Sequence, residues 1–130
     1  MDAARILIVD DVPQVREDLR TLLTLAGDAD TEHPLEIVGE AADGMEAIRL
    51  TEALRPQVVL MDLAMPVLDG YQATRQIKAR FPSCRVIALS VHAYQAARQE
   101  AIQAGVDGFI VKGEPVETLL RAVSGMDNKE

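Results

Sequence analysis

Five side chains in this sequence combine charge or nucleophilicity with a place directly after an aliphatic run. They are Asp10 and Asp11 after RILIV, Asp62 after VVLM, Ser90 after CRVIAL and Lys112 after FIV. Each alone has a plain structural reading: an acid pair or lone acid caps a turn or helix, a serine closes a turn, and a lysine is a solvated strand end. Their chemistry differs once they share one place. Three carboxylates together repel by about 4 kcal/mol per pair at ~4 Å and intermediate effective dielectric, so cations must offset them. Lys112 supplies one charge. A hard divalent ion would supply the rest, and Mg²⁺, which takes a few carboxylates plus phosphate oxygens and keeps some waters, suits that role. A carboxylate beside Mg²⁺ and a lysine can attack a phosphoryl group, while the cations neutralise charge on the transferring oxygens. Ser90 is a hydroxyl that can donate to a phosphoryl oxygen once it arrives.

Sharing one place requires elements that bring the five together. Val58 to Met61 is a run of four apolar residues, the pattern of a strand buried on both faces of a parallel sheet, and Asp62 closes it. Met65-Pro66 and Asp69-Gly70 then enforce a turn. Arg5 to Asp10 is a first strand, followed by a helix opening at Pro13 with Val12, Val15, Leu19, Leu22, Leu23 and Ala26 at helical spacing up to Gly27. The polar loop from Gly27 to Pro34 leads to a strand over Leu35 to Glu40. Its Asp28, Asp30 and Glu32 alternate as calcium ligands do, but the glycine and distal glutamate of a calcium loop are missing, so it reads as a solvated loop. Asp43-Gly44 opens a second helix with Ala47, Ile48, Thr51 and Leu54 inward, ended by Arg55-Pro56. Asp69 and Gln72 have capping-box spacing for a third, whose stripe is Thr74, Ile77 and Phe81. Cys84 to Ser90 is the fourth strand. A helix over Ala93 to Ala104 follows, turning only Ala97, Ala101 and Ala104 inward, so it should be the least firmly seated. Val106 to Val111 is the fifth strand, and Pro115 opens a last helix with Val116, Leu119, Leu120 and Val123 inward.

Strand and helix alternate five times, and crossovers of one hand then force a doubly wound α/β domain. The expected architecture is flavodoxin-like: five parallel strands in order 2-1-3-4-5, helices on both faces, and a ligand crevice at the switch between strands one and three. At 130 residues the chain is one domain, with 48% hydrophobic but only 3% aromatic residues, so its core is aliphatic. A net charge of -8 argues against direct nucleic-acid binding. The single Cys84 excludes an internal disulfide and reads as a small buried hydrophobe. With no run long enough for a signal peptide or membrane span, the chain reads as cytoplasmic.

On VDD at 9 to 11, MDLAMPVLDG at 61 to 70, ALS at 88 to 90 and AGVDGFIVKG at 104 to 113, the sequence resembles the receiver domain of two-component response regulators, across about Arg5 to Val123. The resemblance implies a receiver over residues 1–125, with 126–130 a tail or the start of a linker. It implies that Asp62 accepts a phosphoryl group from a phosphohistidine on a sensor histidine kinase. Asp10, Asp11, Asp62 and the backbone carbonyl of Ala64 would hold Mg²⁺, and Ser90 and Lys112 would bind phosphoryl oxygens. Phe109 would turn inward as Ser90 is drawn to the phosphate. A partner or a second copy would read the surface of helix four, strand five and helix five, with Tyr94, Arg98, Val116 and Arg121 as its contacts. Ala64 and His92 stand where family members tune phosphoryl lifetime. Ala64 has no group to direct water, and His92 is either a tuner or an exposed histidine without a role. LSV and VKG resemble receivers that precede a LuxR-type helix-turn-helix domain, which implies transcriptional regulation through an output domain outside this chain. Gly113 follows Lys112 where many receivers have proline, so a cis peptide there is not implied.

Other functions fit less well. An aspartate-nucleophile phosphatase of the haloacid dehalogenase type needs an acid two residues after its nucleophile, where Val12 and Ala64 stand. A flavin carrier needs a Ser/Thr/Gly-rich loop after the first strand, where DDVPQ stands. A receiver-like module that signals by contact without phosphorylation is usually marked by loss of the acceptor, an acid or the lysine, and none is lost.

Overall fold

The computed structural model describes residues 3–29, 32, 34–65, 68–91 and 95–124. Five strands alternate with five helices: β1 (Ala4–Val9), α1 (Pro13–Ala29), β2 (Leu35–Ala41), α2 (Gly44–Leu54), β3 (Val58–Asp62), α3 (Gly70–Arg80), β4 (Arg85–Ser90), α4 (Gln95–Ala104), β5 (Gly108–Val111) and α5 (Val116–Ser124). All strand pairs are parallel, in the order β2-β1-β3-β4-β5. This is the expected doubly wound sheet. β3, central and covered on both sides, is buried at every position.

Side-chain alternation along the strands sorts the core into two layers. Ile6, Ile8, Val58, Leu60, Ile87 and Leu89 face Leu23 of α1 and Leu119, Ala122 and Val123 of α5. Leu7, Val9, Val59, Met61 and Val86 face Ala47 and Ile48 of α2 and Ala73 and Ile77 of α3. Helix α4 buries only Ala97, Ala101 and Ala104. At roughly 25 cal/mol per Å² of apolar surface, three methyl groups hold it far less firmly than leucines and isoleucines hold the other helices.

Several boundaries differ from those the sequence suggests. Helix α1 does not stop at Gly27 but runs to Ala29. A Cβ on Gly27 would come within 3.1 Å of the Leu35 backbone nitrogen, so this glycine serves close packing of the helix end on β2. The expected inner stripe of α1 is also narrower: Val12 and Leu22 are 45% and 44% exposed, and Leu23 is the fully buried one. Leu22 is one residue, about 100°, round from the line of Leu23 and is turned toward solvent, whereas Val12 precedes the helix. Strand β4 starts at Arg85 and β5 at Gly108. The residues before β5 close α4, the N–H groups of Gly105 and Val106 both donating to the Ala101 carbonyl. The caps follow the sequence: Asp43 accepts from the Glu46 N–H at 2.8 Å and Asp69 from the Gln72 N–H at 2.9 Å. Arg55 ends α2 in the left-handed region, at φ 50° and ψ 58°.

Candidate functional site

Parallel order brings the ends of β1, β3 and β4 side by side, with the first residue after β5 close by. Asp10 directly follows β1 and is fully buried, Asp62 is the last residue of β3 at 5% exposure, and Ser90 is the last residue of β4 at 6%. Asp11 is exposed. Lys112 follows β5, and its backbone N–H donates to the Ser90 carbonyl at 2.7 Å. Its ammonium stands 3.0 Å from an Asp10 oxygen and 3.6 Å from an Asp62 oxygen, so one cation bridges both buried acids. Asp10, Asp11 and Asp62 each offer a ligand oxygen within 4.8 Å of the others. Three carboxylate oxygens at that spacing are a hard donor set, and they fit Mg²⁺.

The local backbone holds these groups in place. The Asp10 carboxylate accepts from the Val12 N–H at 2.9 Å, and its carbonyl accepts from Arg16 at 2.7 Å. Arg16 also reaches Glu40 at 3.2 Å, and Arg20 reaches the same carboxylate at 2.6 Å. The hydrogen bond from Arg20 is the main reason that the Glu40 carboxyl lies below its usual range. Asp62 accepts from the Ala64 N–H at 3.2 Å. Its pKa is nevertheless pushed up to about 6, first by burial and then by the Asp10 charge; Lys112 and the Ala64 N–H oppose the shift, while Asp11 adds to it. A carboxylate in that state is poorly solvated.

The acids, Ser90 and Lys112 line one cleft of about 390 Å³, shared with Leu63, Tyr71 and Glu100. Sequence reasoning missed Arg16 and the last three. Arg16 lies six residues past Asp10, under two helical turns, but only the fold shows that it turns back to the strand end. Tyr71 directly follows the Asp69-Gly70 turn and Glu100 comes from α4, so neither has a local signal. Phe109 is half-buried against Leu63, Ala88 and Ala101, and the exposed Arg98 lies over its ring at 4.6 Å. Since the chain has two phenylalanines, fluorine-labelled Phe gives two resonances. Arg98→Ala is expected to shift the Phe109 resonance, leave that of Phe81 in place, and cost at most about 1 kcal/mol of stability.

Of the expected partner contacts, Arg98 and Arg121 are exposed on α4 and α5. Val116 lines a 230 Å³ cleft with Val15, Leu19 and Leu22 of α1, where the start of α5 meets that helix. Tyr94 and His92 lie outside the described residues, as does most of the loop after Ala29. Ala64 is exposed at the rim. Among the described residues no peptide is cis, and Gly113 takes φ +97°. No described helix is long and apolar enough to cross a membrane.

The response regulator receiver domain family model matches residues 6–124. The uncharacterized transcriptional regulatory protein YhcZ of Bacillus subtilis is 38% identical over 117 residues, 90% of this chain and 52% of that protein. The crystal structure of a LuxR-family two-component response regulator from Aurantimonas sp. superposes with a TM-score of 0.84 at 34% identity, covering 96% of this chain and 85% of that one. The receiver domain of the sensor histidine kinase PA1611 from Pseudomonas aeruginosa PAO1, described with magnesium in its active-site cleft, gives 0.80 at 32% identity, covering 95% and 97%. The chain spans about half the length of most of the curated relatives it matches. A sheet of this order with its acids, hydroxyl and lysine at one edge, and a family model that spans nearly every described residue, make this chain a member of the response regulator receiver family.

Proposed function

We propose that this chain is a phosphorylation-controlled switch whose Asp62 takes a phosphoryl group from a phosphohistidine of a sensor histidine kinase. The observation that carries the reading is the bridging of Asp10 and Asp62 by Lys112 beside the three-carboxylate group. An Asp62 oxygen attacks phosphorus, the P–O bond forms as the P–N bond to imidazole breaks, and the nitrogen leaves with the electron pair. Lys112 and the Ser90 hydroxyl hold the transferred oxygens. Asp10, Asp11, Asp62 and the Ala64 carbonyl would hold Mg²⁺, which supplies charge neutralisation on the phosphoryl group; the magnesium described in the active-site cleft of the PA1611 receiver supports a divalent ion here.

Phosphorylation adds about two negative charges at a buried strand end. Ser90 responds to that charge, and the weakly seated α4 with Phe109 follows it. The face of α4, β5 and α5, with Arg98 and Arg121, then reads out the state by binding a partner or a second copy. Relatives are named as transcriptional regulatory proteins or LuxR-family response regulators, and we assign this receiver to a cytoplasmic regulator of transcription. The chain turns over no substrate beyond its own slow phosphorylation and dephosphorylation.

Acetyl phosphate with Mg²⁺ is expected to add about 80 Da to the wild type, read by intact mass, and nothing to Asp62→Asn. An unmodified wild type, or the same adduct on the variant, would remove Asp62 as the acceptor. An unmodified wild type would also favour a receiver that signals by contact alone.

A further inference from the structure

At the amino ends of β3 and β4, the sheet edge opposite Asp62, lies a second cleft of about 510 Å³, lined by Thr51, Arg55, Gln57, Arg80, Phe81 and Arg85 among others. It gathers arginines in a chain whose net charge is -8. Two arginines beside it have structural work. Arg5 donates to the carbonyls of Leu54 and Arg55 at 2.5 and 2.7 Å, and Arg85 to those of Ala122 and Val123 at 2.6 and 3.3 Å. They neutralise the carboxyl ends of α2 and α5, where helix dipoles are negative.

Arg55 and Arg80 are placed differently. Both guanidinium groups stand over the ring of Phe81, at 4.6 and 5.1 Å from its centre, so two like charges are held no more than about 10 Å apart. Among the described residues Glu52 alone answers them, accepting from Arg80 on its carboxylate at 2.8 Å and from the Arg55 Nε on its carbonyl at 3.0 Å. Among the described residues the terminal amino groups of Arg55 have no acceptor within hydrogen-bonding distance. Arg55 is also the one described non-glycine residue with positive φ, at a helix end where glycine is the usual occupant. A strained backbone carrying a stacked, under-partnered guanidinium points to a use for that side chain.

We propose that this cleft binds a phosphate-bearing small anion, clamped between the Arg55 and Arg80 guanidinium groups. A phosphate offers three oxygens to two planar donor forks, whereas one carboxylate is satisfied by one fork. Phe81 fixes both arginines before the ligand arrives, which lowers the ordering cost of binding. The site lies at the far end of β3 and uses none of the residues assigned to phosphoryl transfer.

The test is a titration of the fluorophenylalanine-labelled chain with inorganic pyrophosphate in the absence of divalent cations. The Phe81 resonance is expected to move saturably while that of Phe109 stays in place. Arg55→Gly keeps the left-handed turn and removes the cation, and Arg80→Gln leaves the backbone untouched; each is expected to weaken binding at least tenfold. Asp62→Asn is expected to bind as the wild type does. The proposal is overturned if Arg55→Gly or Arg80→Gln binds pyrophosphate as tightly as the wild type. It is equally overturned if sodium chloride at matched ionic strength moves Phe81 as far, or if Phe109 alone responds.

Discussion

Asp62→Asn is expected to be more stable than the wild type by about 2 kcal/mol at about pH 7.5, although it abolishes the phosphoacceptor. Burial and the Asp10 charge raise the Asp62 pKa from 3.8 to about 6. A folded state that holds a proton more tightly than the unfolded chain is favoured when that proton is on. The contribution is therefore fully present below the unfolded pKa of 3.8 and is lost as pH rises through about 6. Above that, the wild type carries a penalty of about 3 kcal/mol, from roughly two pKa units at about 1.4 kcal/mol each. Asparagine escapes it, keeps an oxygen for the Ala64 N–H, and forfeits only the attraction to Lys112 at 3.6 Å. Thermal unfolding from about pH 4 to about pH 7.5 is the measurement. The variant should melt roughly 5–10 °C above the wild type at the upper pH, with the gap closing at the lower. Excess Mg²⁺ should raise the wild-type midpoint more than that of Asp62→Asn, which keeps Asp10 and Asp11 but loses one of the three carboxylates. A gap that is the same at both pH values would mean that the Asp62 charge is not the destabilising group.

Gly70→Ala is expected to cost more than about 3 kcal/mol and to damage the site at the same time. Gly70 opens α3 immediately after the Asp69 cap and is buried against the end of β3. A Cβ there would run into the Asp62 carbonyl and would lie 2.7 Å from the Leu63 Cα. Both obstacles are backbone, and neither is free to yield: Leu63 donates to the Leu89 carbonyl and accepts from the Gly70 N–H, each at 3.2 Å. Overpacking costs about 1–3 kcal/mol where side chains can shift, and here they cannot. Relief requires the β3 end to move, so acetyl phosphate labelling of the folded fraction should fall at least tenfold. Gly113→Ala is the matched control. Its φ of +97° strains an alanine, but nothing lies within 4 Å of the added carbon, so a loss of about 1–2 kcal/mol is expected with labelling little changed. Equal losses in the two variants would show that backbone conformation, not the contact with Asp62, decides the cost at Gly70.

Aliphatic runs closed by Asp10, Asp62, Ser90 and Lys112 were enough to read the parallel sheet and its reactive edge, because a doubly wound fold sends every strand's carboxyl end to one side. The alanine-only face of α4 was equally legible, since helical spacing is local. What a one-dimensional pattern does not carry is the angle at which an element meets its neighbours. Leu22 fits the helical period of α1 yet is 44% exposed, because the contact of that helix with the sheet, and not its period, sets the buried line; Val12 lies before the first helical residue. Gly27 reads as a helix stop and is instead a contact with Leu35. Arg16, Tyr71 and Glu100 reach the Asp62 edge, and Arg55 and Arg80 meet over Phe81, only through packing between separate helices and loops. The sequence alone thus determined the element order and which acids, hydroxyl and lysine meet, since strand direction follows from chain order. Tertiary structure alone decided how far apart those groups stand, how strongly burial perturbs Asp62, and that a second charged cleft exists, because each depends on distances between residues that chain spacing does not set.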